Sequence, residues 1–143
     1  MKTLNIAITG FGNVGQHIAR LLWQRQAAYR ERYATDVRLV GVCRSRSGLL
    51  GTQGLNESDV LGAEFVPDLS GEAFLQGLQA DVLIDAGPSD FETGGMGLVY
   101  MRHALNTGMH VIAVSKGALA LHGPELLQTA TAHGVQVWVS GAT

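Results

Sequence analysis

Residues Gly10-Phe11-Gly12-Asn13-Val14-Gly15 spell G-x-G-x-x-G, directly behind a short apolar run (residues 4–9) and directly ahead of a long stretch with helical spacing. No other feature limits the possible folds as much, because the pattern counts only in that context, after a strand and opening a helix. Gly10 permits the tight turn, Gly12 lets a pyrophosphate approach the backbone, and Gly15 lets the helix pack against the strand. The helix start then offers free N–H groups and about half a positive charge to phosphates. The expectation is a dinucleotide site, with Phe11, Asn13 and Val14 as the intervening contact residues.

The remaining pattern alternates strand and helix. Residues 13–33 carry apolar positions 14, 18, 21, 22, 28 and 29, the spacing of one helix face. Residues 37–43 are apolar nearly throughout, which suits a strand buried on both faces of a parallel sheet. Residues 44–54, rich in Ser and Gly, read as a loop. Residues 56–78 are ambiguous, with a helix near 57–61, a strand near 63–66 and a helix near 71–78. Then follow a strand at 81–85, a helix at 95–107 ending at Gly108, a strand at 110–114, a helix from Pro124 to His133 closed by Gly134, and a strand at 135–139. Short connections between alternating elements predict an α/β fold, a Rossmann-type doubly wound, mainly parallel sheet with helices on both faces.

At 143 residues the chain is expected to be a single domain. A formal charge of −2 leaves no electrostatic footprint for nucleic acid or an anionic membrane. No apolar run approaches the ~20 residues of a membrane span, and the first residues lack the apolar core and cleavage site of a signal peptide. The single cysteine, Cys43, rules out an intrachain disulfide and fits a reducing, cytoplasmic setting. Its place at a strand end reads as a small buried apolar residue. His17, His103, His110, His122 and His133 show no metal-ligand spacing, so no metal is expected. Asp85 is expected to end a strand and Asp90 to cap a turn, and Trp23 and Trp138 to be core or subunit contacts.

Chemistry is expected where the strands end, because ligands of open α/β sheets gather at their carboxyl ends. After the second strand, a carboxylate would hold the ribose 2′-hydroxyl of NAD. Here Arg44, Ser45, Arg46 and Ser47 stand instead. Arg binds a 2′-phosphate through paired, charge-assisted hydrogen bonds, so NADP is predicted over NAD, with Arg44 the main contact and Ser45 or Arg46 the second. The alternative is a solvated surface loop. Gly87, Pro88 and Ser89 follow the next strand, and Ser115-Lys116-Gly117 the one after. Only two lysines exist, Lys2 and Lys116. A lysine beside a nicotinamide can bind an anionic substrate or move a proton to a carbonyl oxygen; the alternative is a helix-start lysine pointing at water.

Residues 104–120, Ala-Leu-Asn-Thr-Gly-Met-His-Val-Ile-Ala-Val-Ser-Lys-Gly-Ala-Leu-Ala, resemble the homoserine dehydrogenase family, which shows Ala-Leu-x-x-Gly-x-x-Val-Val-Thr-Ala-Asn-Lys-x-x-Leu-Ala. The Gly10–Gly15 loop, the Val40-Gly41-Val42 strand and the closing Val139-Ser140-Gly141-Ala142-Thr143 also fall where that family's nucleotide-binding half has counterparts. The resemblance spans the whole chain. It implies NAD(P)-dependent interconversion of homoserine and aspartate 4-semialdehyde, with Lys116 on the nicotinamide side, assisting proton transfer at the reacting oxygen. Ser115 stands where the family has Asn and Gly87 near where it often has Thr, departures that touch two coenzyme contacts. It further implies that residues 1–143 form one NAD(P)-binding domain, that the family's substrate and dimerisation domain is absent from this chain, that a homodimer belongs to the full-length protein only, and that this piece alone binds coenzyme without turning over substrate.

A reading from another class is a non-enzymatic, nucleotide-sensing regulatory domain of the same fold. Such a module needs no lysine after the strand and commonly keeps an acidic residue where Arg44 stands, so Arg44 and the Ser115-Lys116-Gly117 element weigh against it.

Overall fold

The computed structural model describes residues 1–140; Gly141, Ala142 and Thr143, part of the closing segment noted above, lie outside the described residues. The elements run β1 (Lys2–Thr9), α1 (Asn13–Tyr33), β2 (Thr35–Cys43), β3 (Ser47–Leu50), α2 (Glu57–Leu61), β4 (Val66–Pro67), α3 (Gly71–Gly77), β5 (Val82–Asp85), α4 (Gly95–Asn106), β6 (His110–Ala113), α5 (Gly117–Ala132) and β7 (Val137–Val139). They build one seven-stranded sheet in the order β4-β3-β2-β1-β5-β6-β7. The pairs β2–β1, β1–β5, β5–β6 and β6–β7 are parallel, and β3 and β4 join antiparallel. The mainly parallel α/β sheet is the expected one.

Alternation along the strands separates two apolar layers, since successive side chains leave a strand on opposite faces. Ile6, Ile8, Leu39, Val42, Val82 and Ile84 pack with Ala19 of α1 and Val60 of α2. Ala7, Val40, Leu83, Val111 and Ala113 pack with Phe74 of α3, Leu98, Met101 and Leu105 of α4, and Leu126 of α5. The chain therefore winds one way from β1 through α1 to β2 and the other way from β5 onward. Between β1 and β5 the strand order reverses, and a crevice must open above their carboxyl ends.

Three expectations need correction. Residues 47–50, read as loop, form β3, which folds back on β2 with Gly41 opposite Leu50 and Cys43 opposite Gly48. The strand foreseen near 63–66 is only Val66–Pro67 and pairs with β3. The last helix begins at Gly117, not Pro124. It is two segments joined at His122, whose φ of −129° and ψ of 22° break the helix, and Pro124 sits at the start of the second segment. Proline suits that place because its missing N–H falls where no helical partner exists. The ends at Gly108 and Gly134 stand as expected, with the Met109 and Val135 N–H groups returning to Ala104 and Ala130 at 2.8 and 3.0 Å.

Candidate functional site: the crevice above β1 and β5

β1 runs straight into the glycine turn. Gly10 has φ +79°, and a Cβ there would overlap the Gly87 backbone, so the loops after β1 and β5 touch because Gly10 carries no side chain. The Gly10 and Phe11 N–H groups both donate to the Cys43 carbonyl at 3.0 and 2.9 Å, fastening the turn to the end of β2. Phe11 faces inward, 2% exposed. Gly12 is the N-cap of α1. It offers no side chain to the first-turn N–H groups, and no acidic residue stands in that turn. The donors of Asn13, Val14 and Gly15 thus begin a 21-residue helix with its positive end uncovered. Asn13 and Val14 are exposed and Gly15 is buried, with a would-be Cβ 2.8 Å from the Gly10 carbonyl.

A cleft of about 940 Å³ opens beside this turn, lined among others by Gly10, Arg44, Ser45, Gly87, Pro88 and Ser89. That is within the ~300–1,000 Å³ typical of small-ligand sites. The structure thus gathers six of the sequence-selected residues. Arg46 is exposed at the β2–β3 turn, outside the lining. Ser115 and Lys116 lie one strand further along and also stand outside it. Ser115 is 3% exposed, and its hydroxyl donates to the Asp85 carboxylate. The Lys116 ammonium donates to the Ser140 carbonyl at 2.8 Å and, more weakly, to that of Val114 at 3.4 Å. Its backbone N–H donates to Ser89 Oγ at 2.8 Å, which clasps the loops after β5 and β6 together.

The polar floor of the cleft is built around Asp85, which the sequence marks only as a strand end. Asp85 is 1% exposed and ends β5. It accepts from Thr9 Oγ1 of β1 at 2.7 Å and from Ser115 Oγ. Burial pushes its carboxyl above the usual value, against the opposing effect of hydrogen bonds from Ser115, Thr9 and the Gly87 backbone. A signal existed: each of β1, β5 and the run through β6 ends on a polar residue with glycine one or two positions on, namely Thr9, Asp85 and Ser115. Tyr100 of α4 was missed. Its hydroxyl accepts from the Gly71 N–H at 2.9 Å and from Cys43 Sγ at 3.5 Å, and burial raises the pKa of both Tyr100 and Cys43.

Asp90 caps its turn as expected, accepting from the Glu92 and Thr93 N–H groups at 2.9 and 3.0 Å, bonds that lower its pKa. Cys43 is the buried strand-end residue foreseen. Trp23 is half-buried and donates to the Leu55 carbonyl at 2.9 Å, whereas Trp138 is 47% exposed. Among the described residues, no three His, Cys, Asp or Glu side chains converge as a metal site would require, and no helix is long and apolar enough to cross a membrane.

A strand, a glycine turn and an uncapped helix facing a crevice where the strand order reverses define a dinucleotide-binding domain of the doubly wound class. The family model for the NAD-binding domain of homoserine dehydrogenase matches residues 10–140. The chain belongs to that family. It is 27% identical over 146 aligned residues to a homoserine dehydrogenase of Methanocaldococcus jannaschii, covering 92% of this chain and 42% of that protein. It is likewise 27% identical to an NAD(+)-dependent homoserine dehydrogenase of Pseudomonas canavaninivorans, over 99% of this chain and 44% of the relative. The crystal structure of homoserine dehydrogenase from Thermoplasma acidophilum superimposes with a TM-score of 0.77 at 27% identity, covering 96% of this chain and 43% of that one. The chain thus spans about two fifths of the length of the relatives it matches.

Proposed function

We propose that this chain is the coenzyme-binding part of an NAD(P)-dependent homoserine dehydrogenase that takes NADP in preference to NAD and interconverts L-homoserine and L-aspartate 4-semialdehyde. The observation that carries the coenzyme choice is the pair Arg44 and Ser45 on the cleft, at the end of β2, where a carboxylate would repel a 2′-phosphate. Neither Arg44 nor Arg46 has a salt-bridge partner among the described residues; the arginines that do are Arg30, Arg38 and Arg102. The NAD(+)-dependence of the Pseudomonas relative belongs to that protein, and the residues of this chain at the β2 end argue for the other coenzyme.

The residues fit a dinucleotide. The first-turn N–H groups of α1 would take the pyrophosphate, the open space at Gly12 leaves room for its approach to the backbone, and Arg44 with Ser45 would hold the 2′-phosphate. When bound, the coenzyme would supply or accept a hydride. Lys116 would donate a proton to the aldehyde oxygen in the reducing direction, or accept one from the alcohol in the other. Its place at the start of α5, beside the loop after β5, supports that role. The substrate-binding and dimerising parts of the enzyme, which is cytoplasmic in this reading, belong to sequence beyond this chain.

Calorimetric titration of NADPH and NADH into wild type and Arg44→Ala tests the coenzyme choice. NADPH is expected to bind more tightly, and Arg44→Ala to narrow the gap by about tenfold or more, the worth of charge-assisted hydrogen bonds. Equal affinities for the two coenzymes, or an NADH preference, would overturn it.

A further inference from the structure

Arg44 does not hang free at the mouth of the cleft. Its Cζ lies 3.9 Å from the ring centroid of Phe65, a residue from the connection between α2 and β4. Phe65 is 9% exposed. On its other contact its ring meets Phe11 of the glycine turn, with centroids 6.0 Å apart and planes tilted by 31°. Phe11 is bonded through its N–H to Cys43, the residue before Arg44. Phe11, Cys43, Arg44 and Phe65 therefore form one block that joins the glycine turn to the end of β2.

The manner of this contact matters. A guanidinium has a planar face and a rim of five N–H donors. A carboxylate partner would occupy the rim and compete with an incoming anion. An aromatic ring takes only the face, by attraction to its quadrupole, and leaves every rim donor available. It also holds a long side chain whose ordering would otherwise cost binding free energy.

We propose that Phe65 is a positioning residue for coenzyme choice: it holds the Arg44 guanidinium by its face so that the rim donors are set for the 2′-phosphate of NADP. The proposal rests on the reading that Arg44 meets that phosphate. No resemblance of sequence pointed to Phe65, and it does not line the cleft. Because NADH lacks the 2′-phosphate, Phe65 acts on one coenzyme and not the other.

The test is calorimetric titration of NADPH and NADH into wild type, Phe65→Leu, Arg44→Ala and the double variant, with Phe65→Tyr as the variant that keeps the ring. Phe65→Leu is expected to weaken NADPH roughly two- to fivefold, the range of an exposed cation–π contact, and to leave NADH unchanged. Phe65→Tyr keeps the wild-type ratio, and in the Arg44→Ala background Phe65→Leu has no further effect on it. If Phe65→Leu weakens both coenzymes equally or neither, or still shifts the ratio without Arg44, the role of Phe65 is overturned while that of Arg44 stands. If Arg44→Ala leaves the ratio untouched, the reading beneath it fails as well.

A second measurement needs no variant that alters the core. In nitrogen-15-labelled wild type the Arg44 Nε–H resonance is expected to carry an upfield ring-current shift and to keep it when NADPH binds. Loss of the shift on binding would mean that Arg44 leaves the ring to reach the phosphate, and would overturn the proposal.

Discussion

The hydroxyl of Thr9, the last residue of β1, donates to Oδ1 of Asp85, the last residue of β5, across 2.7 Å. Ser115 donates to the same carboxylate from beyond β6, and Gly97 of α4 packs over it so closely that a Cβ there would lie 2.8 Å from Asp85 Oδ2. Three strand ends are thus tied by one buried acid at the base of the cleft.

Stability should carry the sign of that burial. The folded-state pKa of Asp85 is raised above the usual 3.8, desolvation being the largest cause. Between 3.8 and the raised value the native state binds more protons than the unfolded chain, so Asp85 contributes less to stability as pH rises through that window. Urea unfolding of wild type and Asp85→Asn at a series of pH values from about 4 to about 8 is expected to show the wild-type advantage shrinking toward the alkaline side. A gap that widened with pH would contradict this account.

Asp36 should behave in the opposite sense. Arg38 and then Arg30 hold its carboxyl below the usual value, through bonds of 2.8 and 3.0 Å. Its contribution is present above pH 3.8 and is lost as pH falls through the lowered pKa. Asp36→Asn is therefore expected to cost stability at neutral pH and nothing in strong acid, read from the same unfolding series.

Two glycines of one motif should separate stability from binding. Gly10→Ala forces a side chain into a positive-φ turn against the Gly87 backbone, a strain with overpacking of about 2–5 kcal/mol. Gly12 has nothing within 4 Å of a would-be Cβ and an ordinary φ of −90°. Gly12→Ala should change stability by less than about 1 kcal/mol yet weaken NADPH binding, because the methyl group occupies the approach to the helix start. Thermal denaturation paired with titration distinguishes the two, and unchanged NADPH affinity in Gly12→Ala would remove the pyrophosphate from that turn.

Lys116→Ala in the full-length enzyme is expected to lower turnover by about 10²–10⁴, the usual worth of a general acid or base, with a far smaller change in coenzyme affinity. Steady-state kinetics beside titration decides it; turnover near wild type would end the assignment of proton transfer to Lys116.

Much of the architecture was legible because it depends on local pattern: the apolar strands, the 21-residue α1 and the glycine stops need only neighbours in sequence. β3 was not, because its strand character comes from β2. Its four residues include Ser47 and Gly48, poor strand formers on their own, and Gly48 is needed where a Cβ would overlap the Leu69 carbonyl. The first turns of α5 were hidden behind Pro124, which begins the second segment. In the cleft, Arg44 and the glycine turn could be read from motif context. The Tyr100–Gly71 and Arg44–Phe65 contacts join positions that only the folded sheet brings together.

The strand order has one further result. On one flank the sheet finishes with Val66–Pro67, two residues of which the second has no N–H to offer a newcomer. On the other it finishes with Val137–Val139, whose outward side no described strand pairs, next to an uncovered indole at Trp138. Among the described residues, Pro67 therefore limits pairing at one flank of the sheet, while the other flank offers a foreign strand a template about 10 Å long.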